Sequence, residues 1–152
     1  MNSEVFKEKK RLDDIFKLID KISDEETKAH FSRYLCVLVS GFIENSMKYL
    51  ICEYARSSAS PKIVNYIQAK ADSMTNLNCE KVKQILCLFS KTWLELFEDK
   101  IGESEKDALD SVIANRNSIV HGKSVGLTFA RIKDYYEKVK AIIDYIDNSC
   151  IQ

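Results

Sequence analysis

The ten residues Tyr34-Leu35-Cys36-Val37-Leu38-Val39-Ser40-Gly41-Phe42-Ile43 are apolar nearly all round when wound as a helix. A helix of that kind has to be covered on several sides, either inside a bundle or against a second subunit. The run lies in the middle of a segment, Asp24 to about Ser57, that contains no proline. The fold therefore has to be built around one long central helix. Four glycines and a single proline, Pro61, in 152 residues also favour helices over turn-rich β structure. A chain of this length is one domain by prior and can bury a core without disulfides or a metal. Gly41 in the central run costs about 1 kcal/mol of helix stability relative to Ala. Close backbone approach at a helix crossing and a merely tolerated glycine both account for it.

Helical periodicity extends to either side. Phe6, Leu12, Ile15, Phe16, Ile19 and Ile22 predict a first helix over 4–22. Ser23 or Asp24 can cap the long helix, with Glu26 reaching back from its first turn. Ser57-Ser58-Ala59-Ser60-Pro61 is the clearest break, and Pro61 is well placed at a first helical position. A short helix over 61–74 should turn Ile63, Val64, Tyr66 and Ile67 inward. After a loop at Thr75–Asn78, Val82, Ile85, Leu86, Leu88, Phe89, Trp93, Leu94 and Phe97 predict one helix over 80–97. Ser104 and Asp107 resemble a capping box, and Leu109, Val112, Ile113, Ile119 and Val120 form the stripe of the helix that follows. Gly122 fits a left-handed cap at its end. After a turn at 123–126, a last helix over 128–148 presents Ile132, Tyr135, Tyr136, Val139, Ile142, Ile143 and Ile146. The expected architecture is an all-α bundle of five or six helices, forming a single domain over 1–152.

Charge and cysteine content narrow the function classes. Lys plus Arg and Asp plus Glu both number 23, so the net charge is zero and any nucleic-acid site must be local. Between Ser111 and Lys133 there is no acidic residue, whereas Arg116, Lys123, Arg131 and Lys133 are basic. Five cysteines, an odd number without a CxxC pair, suggest a reducing compartment. Cys36, Cys52 and Cys87 sit in apolar runs and are expected in the core; Cys79 and Cys150 are expected nearer the surface. The first residues lack the apolar stretch of a signal peptide, and no uninterrupted apolar run reaches membrane-spanning length. A soluble cytoplasmic protein without membrane partners is the expectation. No His, Cys, Asp or Glu cluster has metal-ligand spacing, and no glycine-rich phosphate loop is present.

The chemistry concentrates in Arg116-Asn117-Ser118-Ile119-Val120-His121. Arginine suits phosphate binding, and histidine suits proton transfer near neutrality. Residues 117 and 121 lie one turn apart on one face, so Asn117 can orient the His121 ring. Arg116 is about 140° around the axis from His121 and reaches it only through its long side chain. The last helical turn favours the cationic imidazolium, a form suited to donating a proton. Metal-free RNA cleavage needs a base, an acid and a cation at the phosphate. The other histidine, His30, is far away in sequence. A two-fold dimer would supply two histidines and two arginines to one cleft, with the central helix or the aromatic last helix as interface. The same residues admit a structural reading, in which His121 satisfies a helix end and Arg116 pairs with Asp110 or another acid.

The stretch Ala114–Lys123 resembles the RN-x-x-x-HG form of the HEPN signature. His30–Glu53, with Gly41-Phe42-Ile43-Glu44, is similar to the long central helix of the HEPN group linked to the RiboL-PSP name. The Asn76-Leu77-Asn78 loop and the Phe89 to Trp93 helix fit that group as well, so the similarity spans about residues 28–148. The resemblance implies a homodimeric helical bundle with paired motifs facing one cleft. It implies a cofactor-free, metal-independent endoribonuclease that leaves a 2′,3′-cyclic phosphate. It also implies a toxin or phage-defence role, with an antitoxin or defence-system partner. Arg116 would stabilise the phosphate, His121 would transfer a proton, Asn117 would orient the site, and Glu44 would add a supporting polar contact. Lys123, Arg131 and Lys133 would contact the RNA backbone. Toxins of this family paired with a nucleotidyltransferase often carry Tyr two residues after the His. Lys123 stands there instead, which puts control by modification of that Tyr in doubt. Some HEPN domains are inactive, so a dimeric HEPN-like adaptor is the alternative function.

Overall fold

The computed structural model describes residues 2–151, and all regular structure among them is helical. Seven α-helices run in chain order: α1 Ser3–Asp20, α2 Glu25–Ser58, α3 Pro61–Asp72, α4 Cys79–Phe89, α5 Lys91–Lys100, α6 Glu103–Val120 and α7 Phe129–Tyr145. A π-helical turn, Ile146–Cys150, closes the chain.

The 34-residue α2 is the central element, and α1, α3, α6 and α7 all pack on it. Asp24 caps it, accepting from both the backbone N–H and the hydroxyl of Thr27. Thr27, rather than Glu26, therefore completes the first turn. By length and composition alone α2 could cross a membrane, but 61 % of its most apolar window is buried in the bundle. Phe31 and Tyr34 are exposed on the least covered side, and half-buried Leu38 and Gly41 continue that face at spacings of four and three residues. A Cβ built on Gly41 would meet nothing within 4 Å, so no close helix crossing within the chain requires this glycine.

α1 lies antiparallel to α7. Lys9 pairs with Asp144 at 2.6 Å, Lys140 with Asp13 at 3.0 Å, and the Phe16 and Phe129 rings lie 6.1 Å apart. Tyr136 is the hub of this contact. Its ring stacks on Phe16 at 4.5 Å and meets Phe42 edge-on at 6.1 Å. Its hydroxyl donates to Asp13 Oδ1 at 2.8 Å, with the Lys9 carbonyl 3.2 Å away. Burial first, and the Asp13 carboxylate second, push the phenol far above its ordinary value, so it stays protonated. Lys28 sits over the Phe129 ring at 4.7 Å. The starts of α2 and α7 therefore share one end of the bundle, and the end of α6 joins them through residues 121–128.

The structure corrects several expectations of detail. The single helix expected over 80–97 is broken at Ser90, which is extended (φ −161°, ψ 128°), so the helix count exceeds the expected five or six. The break lets Phe89 and Trp93 stack at 5.5 Å while both present themselves edge-on to Tyr54 of α2. Inter-helix aromatic packing here overrides a sequence period that suits one helix. α6 begins at Glu103, with Gly102 as an N-cap that makes no side-chain bond, rather than at a Ser104 capping box. Buried Ile101 fixes the chain there, and Glu103 and Glu105 complement the helix dipole.

Some burial assignments change too. Val5 rather than Phe6 faces inward from α1, because Val5, Leu12, Phe16 and Ile19 make the continuous stripe. Ile63 and Tyr66 are exposed and line an open apolar groove with Met74, Ile85 and Leu88, since α3 packs mainly on α2 through its other side. Cys79 and Cys150 are buried and Cys87 is exposed, the reverse of expectation for these three. Cys79 starts α4 beneath α6, Cys150 sits in the core at the end of the π-helical turn, and Cys87 lies on the outer side of α4. Burial pushes the Cys36 thiol up to about 12 and the Cys150 thiol up to about 11, so both are protonated at neutral pH. The last helix also uses its aromatics internally: Tyr136 is buried and Tyr135 and Tyr145 pack partly on the core.

Tyr136→Phe removes the hydroxyl but keeps the stack, and Asp13 retains Lys140 as a partner. The expected cost is about 1–2 kcal/mol of stability, read as a lower urea midpoint at unchanged slope. An unchanged midpoint would show that the hydroxyl contributes nothing to the α1–α7 contact.

Candidate active site

α6 carries the Arg116 to His121 segment on its last turns. The helix is held to α2 by buried Leu109, Val112 and Ile113, and the Cys36 Sγ lies 3.4 Å from the Val112 carbonyl. Side chains on a helix lean toward its N-terminus. Arg116, half-buried, meets the loop between α3 and α4. Its Nη1 donates to Asn76 Oδ1 at 3.2 Å and to Asn117 Oδ1 at 3.1 Å. Both acceptors are neutral amides, and no ion pair to Arg116 is formed among the described residues. Asp110 does not pair with it. Its Oδ1 accepts the Cys79 backbone N–H at 2.8 Å instead, securing the start of α4.

His121 is the C-cap of α6 and is exposed. Gly122 follows with φ 73°, in the left-handed region. The Gly122 N–H donates to the Ile119 carbonyl at 3.0 Å and the Lys123 N–H to the Ser118 carbonyl at 2.9 Å. This is a Schellman ending, which stops the helix immediately after the histidine and leaves the imidazole in solvent. The Asn117 side chain turns toward Arg116. The His121 backbone N–H donates to the Asn117 carbonyl at 3.2 Å, as the helix end requires, but among the described residues no side-chain hydrogen bond joins Asn117 to the His121 ring, so the expected steering bond is not formed in the single chain.

The other candidates are spread more widely. Glu44, on α2, reaches the group indirectly: its Oε1 accepts the Asn76 backbone N–H at 2.9 Å. Lys123 is exposed directly after the cap, and Arg131 is exposed in the first turn of α7. Lys133 lines the cleft between α1 and α7 beside Asp13, Asp20 and Glu137, a different surface from that of Arg116. A stretch free of acids in sequence is not a surface free of acids, since Glu44 stands just behind the loop that holds Arg116. His30 is exposed near the start of α2, at the same end of the bundle as His121. Among the described residues no group of three or more His, Cys, Asp or Glu side chains could hold a metal ion.

The protein-family model described as RiboL-PSP-HEPN matches residues 3–152. The chain belongs to the RiboL-PSP-HEPN family. Searches of curated proteins and of solved structures returned no match. The family match reaches further than residues 28–148, because it includes α1. That extension follows from packing, since Val5, Leu12, Phe16 and Ile19 belong to the same core cluster as α2 and α7. HEPN domains are all-helical and are generally associated with ribonuclease activity. Asn76, named in the sequence only as part of a family-like loop, had no role at the site assigned to it. Its signal was an asparagine in a short inter-helix loop, a residue type that tolerates left-handed backbone; its φ is 53°.

Gly122→Ala tests the Schellman ending without steric interference, since a Cβ there meets nothing within 4 Å. The positive φ alone should cost about 1 kcal/mol, with Gly122→Asn costing less. Chemical denaturation reads both; equal stability of the Ala variant and the parent would contradict the left-handed cap.

Proposed function

We propose that this HEPN-family chain is a metal-independent endoribonuclease that acts as a homodimer. The observation that carries the proposal is the state of Arg116. The guanidinium is oriented by two neutral oxygens, so its charge remains available to an anion, and an exposed imidazole stands at the end of the same helix. In the reaction the RNA 2′-oxygen attacks the adjacent phosphorus. The P–O2′ bond forms, the 2′-OH proton passes to a base, and the P–O5′ bond breaks as an acid protonates the leaving 5′-oxygen. The products are a 2′,3′-cyclic phosphate and a 5′-hydroxyl. Arg116 stabilises the charge on the phosphorane, and His121 transfers a proton.

One motif offers one imidazole for two proton transfers, and a two-fold dimer supplies the second. The open side of α2 supports this assembly. Phe31 and Tyr34 are exposed on its N-terminal half, and Val120 is exposed beside His121 on α6. These residues share the end of the bundle that carries the motif. Asn117 and Glu44 support Arg116, the second through Asn76. Lys123 and Arg131, both exposed, would contact the RNA backbone on this reading. The setting we infer is cytoplasmic, in a toxin–antitoxin or phage-defence role, with RNA as substrate. The unanchored His121 ring also favours a second reading, a non-catalytic dimeric adaptor, in which no RNA product forms.

His121→Ala and Arg116→Ala should each lower RNA cleavage by about 10²–10⁴-fold while leaving helicity and dimerisation intact. Gel analysis of a defined RNA with mass spectrometry of its termini checks this, and EDTA should leave the wild-type rate unchanged. Full cleavage by purified His121→Ala protein would sink the proposal. Tyr34→Asp combined with Phe31→Asp should yield a folded monomer without cleavage activity, seen by sedimentation alongside the same assay. A doubly substituted protein that stays dimeric would remove this face as the interface.

A further inference from the structure

We propose that Asn76 is the positioning residue for Arg116, setting the guanidinium with a neutral acceptor that Glu44 holds in place. The inference rests on the ribonuclease reading for its consequence in catalysis, but its structural half stands apart from that reading. Asn76 lies between α3 and α4 with φ 53°, a conformation asparagine tolerates better than most side chains. There its two polar groups serve two helices. The backbone N–H donates to Glu44 Oε1 on α2 at 2.9 Å, and the side-chain Oδ1 accepts from Arg116 Nη1 on α6 at 3.2 Å. One residue thus ties the motif to the central helix.

The loop around Asn76 is well fixed. Leu77 is buried in the core, and the Asn78 N–H donates to the Asn76 carbonyl at 2.8 Å. Lys81 Nζ reaches the Thr75 carbonyl at 3.2 Å. Three residues beyond Asn76, the Cys79 N–H is held by Asp110 at 2.8 Å. The loop therefore meets α6 at two points, Asp110 and Arg116, and cannot drift along the helix without breaking one of them. An asparagine serving only the turn would have no need of this second anchorage.

The charge distribution gives the arrangement its meaning. Both carboxylates of the neighbourhood, Glu44 and Asp110, accept backbone N–H groups of this loop. Neither pairs with Arg116. A carboxylate at position 76 would hold the guanidinium as firmly and neutralise it as well; an amide holds it and leaves the charge free for a phosphate.

The full-length protein with Asn76→Gly or Asn76→Asp tests the assignment. Glycine keeps the left-handed backbone and the N–H to Glu44 but removes the acceptor; aspartate keeps the acceptor and adds a charge. Two readouts apply: the rate of Cζ–Nε rotation of Arg116 by side-chain NMR, assigned by its absence in Arg116→Ala, and kcat and KM on a defined RNA. Asn76→Gly should speed the rotation and lower kcat/KM by about ten- to a hundred-fold. Asn76→Asp should restore slow rotation while raising KM, because the phosphate then competes with a fixed anion. Rotation unchanged in Asn76→Gly overturns the assignment, and so does an unchanged kcat/KM in an enzyme that cleaves. If Asn76→Gly does not fold, Asn76→Asp decides: an unchanged KM in a cleaving enzyme overturns the assignment. If the wild type cleaves no RNA, the ribonuclease reading fails, while the rotation rates still decide whether Asn76 positions Arg116.

Discussion

The need to cover a long, almost uniformly apolar α2 organises the rest of the molecule. Exposed, its Leu35, Cys36, Val39, Phe42, Ile43, Met47, Leu50 and Ile51 side chains would each forfeit about 1.5–3 kcal/mol of burial, taken as typical for large apolar groups. No single helix can shield several faces, so different partners take different lengths of it. α1, α6 and α7 gather on α2 and bring the Tyr136 and Phe16 stack against Phe42. α3 folds back along the C-terminal part, and α4 and α5 close over Tyr54 with Phe89 and Trp93. The site inherits its geometry from this arrangement. α6 is in place because Val112 and Leu109 must be buried on α2, and the α3–α4 loop is in place because α3 has to return along the same helix.

The covering is incomplete in one direction. Phe31 and Tyr34 are exposed on this side, and Leu38 and Gly41, which continue the same face, are only partly covered. A helix apolar nearly all round gains from a further partner on that side. Gly41 follows at the C-terminal end of this side, and nothing within the chain requires a glycine there.

The helical class, the central helix and the turns at Ser57–Pro61 and Gly122 were all legible in the sequence. Each depends on local signals: apolar period, proline at a first position, glycine after a last turn. What escaped depended on tertiary contacts. The period from Val82 to Phe97 fits one helix, and only the Tyr54 ring on another helix explains why Ser90 breaks it. Ile63 and Tyr66 have the spacing of an inward stripe, but α3 lies at the margin of the bundle and α4 across the groove does not close over them. At the site, the helical spacing of Asn117 and His121 suggested a bond between them. In the structure the Asn117 amide oxygen accepts from the adjacent Arg116 guanidinium instead. Asn76 lies 40 residues from Arg116 in sequence, so no local pattern could pair them.

The choice of acceptors around Arg116 follows from the energetics of half-buried charge. A guanidinium withdrawn from water without partners would be costly, and one paired with a carboxylate would be stable but electrostatically spent. Two amide oxygens sit between these limits, since they replace part of the lost hydration and add no opposing unit charge. The carboxylates that could have paired with Arg116 are occupied by backbone N–H groups of the adjoining loop, where their charge fixes structure. Glu44 thereby assists Arg116 through Asn76 without quenching it. Under the function proposed above, an anion would meet at Arg116 a cation already oriented and not paired with a carboxylate.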